Sequence, residues 1–311
     1  MRKNKIIIII SIINIISAFT IGIFSGCNIG NDDNEITING ITYSFFSYND
    51  ENYYYAHNVE DESIVSVKIK DYINGYPVKK ISSFRNCTNL TNIIIPSTVT
   101  TLADSAFYGC SALENIELPD SIIELGSFAF KYCSELKTIS ISDSVEEIGS
   151  GCFQGCKSLE SIKMPNSLKT IGSNAFEDCR KLKEVDLPIC ITAIKDKAFI
   201  NCSMLERIYL PDSIIEIGKM AFWNCYELYS FRVPRGVTEL SDYIVFDCAN
   251  LHEIYIHKNV SKIGKSFFDV DAYQQHVVPR VYFEGTKEEW DKIELGNGNH
   301  HLSSITFNTY Q

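Results

Sequence analysis

Eight cysteines stand 23 residues apart, at Cys87, Cys110, Cys133, Cys156, Cys179, Cys202, Cys225 and Cys248. Thiols at a fixed spacing can pair as disulfides, hold a metal or act as nucleophiles. A period of this size also means a repeat that buries its core by stacking, which puts neighbouring thiols near bridging distance. The regular column gives no reason for particular pairs, however. The expectation is a column of free, buried thiols acting as small hydrophobes. Cys152 occupies a position held elsewhere by Ala and is expected to be buried too. Cys190 replaces the turn serine seen at Ser121, Ser144, Ser167 and Ser213, so it reads as the exposed thiol. Cys152 and Cys156 lack the convergent partners that a metal needs, and no metal or other cofactor is expected.

No catalytic constellation appears. The chain has no G-x-S-x-G, no H-E-x-x-H and no phosphate-binding glycine loop. The histidines are His57, His252, His257, His276, His300 and His301, and the His300-His301 pair beside Asn299 reads as an exposed turn. Nothing supplies a nucleophile with its base, so the expectation is a protein that is not an enzyme. The net charge is −11, and loss of Arg2, Lys3 and Lys5 with an N-terminal leader takes it to −14. That excludes a nucleic-acid partner, which needs a basic footprint. It also argues against binding anionic lipid through the folded part.

The elements that position these residues follow from the columns around each cysteine. Three residues before it stands Phe84, Phe107, Phe130, Phe153, Phe176, Phe199 or Phe222, with Val245 as the exception. Three residues after it is always Leu, from Leu90 to Leu251. An apolar pair follows at plus six and plus eight, such as Ile116 and Leu118, and Phe231 is the one ring in the first of these columns. This period-2 pair predicts a short strand with one face buried. Pro follows in six of the eight units and ends the strand. The x-x-Ile-Gly step predicts a turn in which glycine takes a positive φ. The A-F-x-x-C piece is one helical turn. Stacking these units predicts a solenoid with a parallel β-sheet along one face and short helical turns and loops elsewhere. Eight coils at about 4.8 Å make a rod of roughly 40 Å.

The pattern A-F-x-x-C-x-x-L-x-x-I-x-L-P-x-S-I-x-x-I-G, running from about Ile81 to Phe268, resembles the 23-residue leucine-rich repeat of BspA-like bacterial surface proteins. The segment Val281-Tyr282-Phe283-Glu284-Gly285-Thr286 through Trp290 is similar to that family's closing segment. The resemblance implies a leucine-rich-repeat solenoid on a cell surface, engaged in adhesion or contact with host, matrix or neighbouring-cell proteins. It leaves the partner open.

The ends complete the organisation. Arg2, Lys3 and Lys5 precede an apolar run from Ile6 to Phe24, and Ser25-Gly26-Cys27 follows. That is the pattern of a secretory signal, and Cys27 after Gly26 resembles a bacterial lipobox, with Phe24 where Leu is more usual. Residues 1–26 are then a lipoprotein signal peptide and Cys27 is the lipidated residue. The alternative is an uncleaved membrane anchor. Either exports and tethers the chain, so a lipid-anchored, surface-exposed envelope protein is expected. Residues 27–40 read as a polar tether, 41–80 as an N-terminal β cap, 81–269 as the repeats and 270–311 as a C-terminal cap with Trp290 in its core. Caps are needed because a terminal coil exposes apolar residues and unpaired ladder groups.

Function is then expected on the variable outward columns of the sheet. Four, five and seven residues after the cysteine, the last three coils gather Arg207, Tyr209, Tyr229, Arg232, His252 and Tyr255. Tyr and Arg dominate binding hot spots, so these six are the expected ligand-binding patch. Tyr also suits a half-exposed strand on packing grounds alone. The leading expectation is a protein ligand. Capture of a glycan by ring stacking, and an envelope spacer with no diffusible ligand, are the alternatives.

Overall fold

The computed structural model describes residues 35–59, 63–268, 278–299, 302 and 305–307. Each 23-residue unit makes one coil, and residues one repeat apart pair in parallel, as Thr138 does with Asn115 and with Ser161. The expected strand is present in every coil. In Asn115–Glu117 the central Ile116 is buried and its two neighbours are exposed, and the same holds for Thr138–Ser140 and Ser161–Lys163. This ladder is interrupted. The hydrogen-bonded groups are Ser66–Lys68 with Asn92–Ile94, the three strands just named, Glu184–Asp186 with Arg207–Tyr209, and a four-stranded group from Ser230–Arg232 to Ile305–Phe307.

A second parallel ladder runs along the x-x-Ile-Gly step. Thr101–Leu102, Glu124–Leu125, Glu147–Ile148, Thr170–Ile171, Ala193–Ile194 and Glu216–Ile217 pair in sequence. The expectation of a positive-φ glycine turn there is corrected: Gly126, Gly149, Gly172 and Gly218 are not in the left-handed region. They serve close approach. A Cβ on Gly172 would lie 2.8 Å from the Ile148 carbonyl oxygen and the Ser150 nitrogen of the preceding coil. The left-handed residues flank the Phe column instead, two before the Phe (Ser105, Phe128, Gly151, Asn174, Lys197, Met220) or before Val245 (Tyr243), and one before the cysteine (Asn86, Gly109, Tyr132, Gly155, Asp178, Asn201, Asn224, Asp247). The resulting turns also bond along the stack. Phe107 N–H donates to the Ala129 carbonyl at 2.7 Å and Phe130 N–H to the Cys152 carbonyl at 2.8 Å.

Rings and thiols fill the interior. Phe107, Phe130, Phe153, Phe176, Phe199 and Phe222 are buried and stack face to face, with centroids 5.1–5.5 Å apart. Beside them the cysteine thiols donate to Phe carbonyls of the preceding coil, as Cys133 to Phe107 and Cys156 to Phe130, both at 3.1 Å. Burial accordingly pushes these thiols up, as at Cys156, and it raises Cys152, which stands in the Ala column, to about 12. Cys190 is half-buried, and its thiol donates to the Asn166 carbonyl at 3.0 Å.

Both ends of the stack carry further strands. Glu35–Ile38, Ile41–Tyr48 and Glu51–Val59 form a meander that extends the second ladder through Tyr76–Ser83. Its turns are Asn39-Gly40 and Asn49-Asp50, all with positive φ, as tight hairpins require. The last residues of the segment expected as tether are therefore strand. At the other end Arg280–Glu284 pairs with Glu253–His257, and buried Trp290 packs edge-on against Phe283, with centroids 5.1 Å apart. Residues 1–34, with Cys27, and His276, His300 and His301 lie outside the described residues.

Candidate binding surface

Alternation along the strands decides which side chains reach solvent. Phe231 and Ile254 point inward, so Ser230 and Arg232 on one strand and Glu253 and Tyr255 on the next face outward. The register aligns Arg232 with Tyr255 and Tyr255 with Tyr282, and Ser230 with Glu253 and Glu253 with Arg280. Four of the six expected residues thus gather on the four-stranded group or its immediate flank: Arg232, Tyr255, Tyr229 and His252. Arg207 and Tyr209 belong to the separate ladder with Glu184–Asp186. Tyr209 is 63% exposed, and Arg207 lies 3.7 Å from the Glu184 carboxylate. The surface is consequently of mixed sign rather than simply basic.

The rings are organised in pairs. Tyr229 stacks on His252, with centroids 4.6 Å apart and planes 18° apart, and His252 Nδ1 lies 2.6 Å from the Asn250 carbonyl oxygen. Tyr255 stacks on Tyr282 at 4.9 Å and 12°. The Tyr255 hydroxyl donates to the Glu253 carboxylate at 2.7 Å. Burial, reinforced by that bond and the carboxylate charge, pushes Tyr255 up to about 12.

Arg232 and Tyr255 also line a cleft with Arg235, Ile256, His257 and Glu284. Arg235 makes a two-pronged contact to Glu284, at 3.0 and 3.2 Å. His257 stands in a proline column and is buried. Its Nε2 lies 2.9 Å from the Pro234 carbonyl and its Nδ1 accepts from Asn259 N–H at 3.2 Å, so the ring is the Nε2-protonated tautomer and braces a turn.

Column reasoning missed Tyr282 and Arg280. They follow Tyr255 and Glu253 by 27 residues rather than 23, so they fall out of phase in the sequence although they continue the same columns in space. The signal available was the apolar alternation Val281-Tyr282-Phe283. Among the described residues no group of three or more His, Cys, Asp or Glu could hold a metal ion. No helix among them is long and apolar enough to cross a membrane.

Residues 79–206 and 146–275 match the family model described as BspA type leucine rich repeat region, in 6 copies. A leucine-rich repeat protein of T. pallidum is 32% identical, with a TM-score of 0.56, over 60% of this chain and 87% of that one. A leucine-rich repeat protein of Bacteroides ovatus is 25% identical, with a TM-score of 0.58, over 89% of this chain and 79% of that one. The chain matches no curated protein.

Proposed function

The chain belongs to the BspA-type leucine-rich repeat family, and from that premise we propose that it is an exported, lipid-anchored surface protein that binds a protein partner through the variable face of its last coils. The observation that carries the reading is the gathering of Tyr229, Arg232, His252, Tyr255 and Tyr282 on one face of a rigid ladder, with Tyr209 on the adjoining one. Rigid amphipathic rings lose little entropy on binding, arginine adds a planar fork of donors, and these residue types supply most of the energy at protein interfaces. Cys27 is the lipid attachment site on this reading, and the basic and apolar residues before it are the signal that exports the chain.

The test is binding of the detergent-solubilised chain to arrays of extracellular-matrix proteins and of glycans, beside the variant Tyr209→Ala/Arg232→Ala/Tyr255→Ala. A protein hit that disappears in the variant, with an unchanged urea unfolding midpoint, is the expected result. Undiminished binding by the variant would remove this face as the site. Glycan-only hits would move the function to carbohydrate capture, and silence on both arrays would favour an envelope spacer.

A further inference from the structure

Six arginines lie among the described residues, and their surroundings differ. Arg180, Arg207 and Arg235 each have a carboxylate within 4.0 Å, on Asp178, Glu184 and Glu284. Arg85 lies over the Tyr108 ring, 4.9 Å from its centre. Arg232 and Arg280 have neither kind of contact among the described residues, and both project from the same face of the same four-stranded group. Both are exposed. Register explains why they stay unpaired. The residue aligned with Arg232 in the next coil is Tyr255, which carries no charge. Arg280 is aligned with Glu253, whose carboxylate accepts the Tyr255 hydroxyl. In a chain with 39 acidic and 28 basic residues, two guanidinium groups on one face with no ion-paired carboxylate among the described residues are unusual. A planar fork of donors is the group suited to receiving one.

Resting on the reading of this face as the partner-binding surface, we infer that the partner presents an acidic, extended protein segment, whose carboxylates are received by Arg232 and Arg280 on either side of the Tyr255–Tyr282 stack. Two strand spacings across the ladder and two residues along it separate the arginine Cα atoms by about 12 Å. An extended segment covers that distance in three or four residues, so its acidic side chains recur at that interval. Glu253 and Glu284 also face this region: Arg235 neutralises Glu284, whereas Glu253, held by the Tyr255 hydroxyl, keeps its charge, which an acidic segment must pass at a distance. A protein segment fits better than an anionic glycan. Tyr255 and Tyr282 cover one face of each other's rings, as do Tyr229 and His252, which reduces the open ring area that a sugar would stack on.

The test uses the full chain in detergent and fluorescence anisotropy. The probes are a labelled peptide of alternating Glu and Ser and its Gln–Ser counterpart of equal length. The expected result is acidic-peptide binding about tenfold tighter than that of the Gln counterpart, as two partly exposed charge-assisted contacts give. Arg232→Gln/Arg280→Gln should lose that preference, whereas Arg85→Gln should keep it, with all three proteins unfolding at the same urea concentration. Acidic-peptide binding that survives the double substitution overturns the assignment. Equal binding of both peptides, lost in Tyr255→Ala, overturns the acidic partner while leaving the protein-binding face in place. No peptide binding, combined with capture of polygalacturonate that needs Arg232 and Arg280, overturns it in favour of an anionic glycan. No binding of either probe overturns it as well, and the array hits then report separately on whether the face binds protein at all.

Discussion

Phe231 packs edge-on against Phe222, with ring centroids 5.7 Å apart and planes 62° apart, beside the point where Val245 interrupts the column of stacked rings. Phe231 in turn meets Phe267 at 6.0 Å. The ring missing from one column is thus supplied by the neighbouring column, where the other units carry Ile or Val. Two departures from the repeat that look independent in the sequence are one compensated exchange of volume.

That exchange predicts coupling between the two sites. Phe231→Ile should destabilise by about 1–3 kcal/mol through the space it leaves, and Val245→Phe by a similar amount through overpacking. The double substitution restores the ring column and should be less destabilised than the sum, by at least about 1 kcal/mol. Urea unfolding of the four proteins measures this, and strict additivity would refute the compensation.

The glycine of the second ladder should be intolerant for a reason unrelated to φ. Gly172→Ala places a methyl group against backbone of the preceding coil, which cannot yield without separating two coils, and should cost about 2–4 kcal/mol. Gly40→Ala has open space around the new methyl but a φ of +77°, and should cost about 1 kcal/mol. A smaller loss for Gly172→Ala than for Gly40→Ala in thermal unfolding would contradict the close-approach role.

The thiol column predicts both reactivity and a pH profile. With the native chain at pH 8, as an assay condition, a thiol reagent should modify Cys190 while the buried repeat cysteines react only after unfolding. Cys152, buried beside that column, is raised to about 12, so the folded state keeps a proton that the unfolded thiol releases near 9.0. Its contribution is therefore complete below that value and is lost as the pH climbs toward 12. Each such thiol lowers stability by about 1.4 kcal/mol per pH unit in that window. Urea midpoints that do not fall between mildly and strongly alkaline buffer would show that the thiols are not buried in their protonated form.

Lys197 holds a φ of 59° in a column where Asn174 is at ease. Lys197→Asn should stabilise by about 0.5 kcal/mol, since Asn tolerates the left-handed region better than Lys. A lower melting temperature for this variant would show that Lys197 makes a compensating contact.

The repeat, its buried columns and the outward placement of Tyr209, Arg232 and Tyr255 were legible in the sequence, because each column states the same requirement eight times and strand alternation converts spacing into sidedness. The lipid-attachment reading of Cys27 likewise rests on sequence alone, since that residue lies outside the described structure. Only the tertiary structure decided the rest. The Ile-Gly step was a turn by residue type and became a ladder because coils approach closely enough there to exclude a side chain. Tyr282 and Arg280 joined the face of Arg232 and Tyr255 through in-register pairing at an offset of 27 residues, which the 23-residue period does not contain. Which arginines remain unpaired was also decided in space: an ion pair depends on what the next coil places within reach, and a column read along the chain carries no distance between charges.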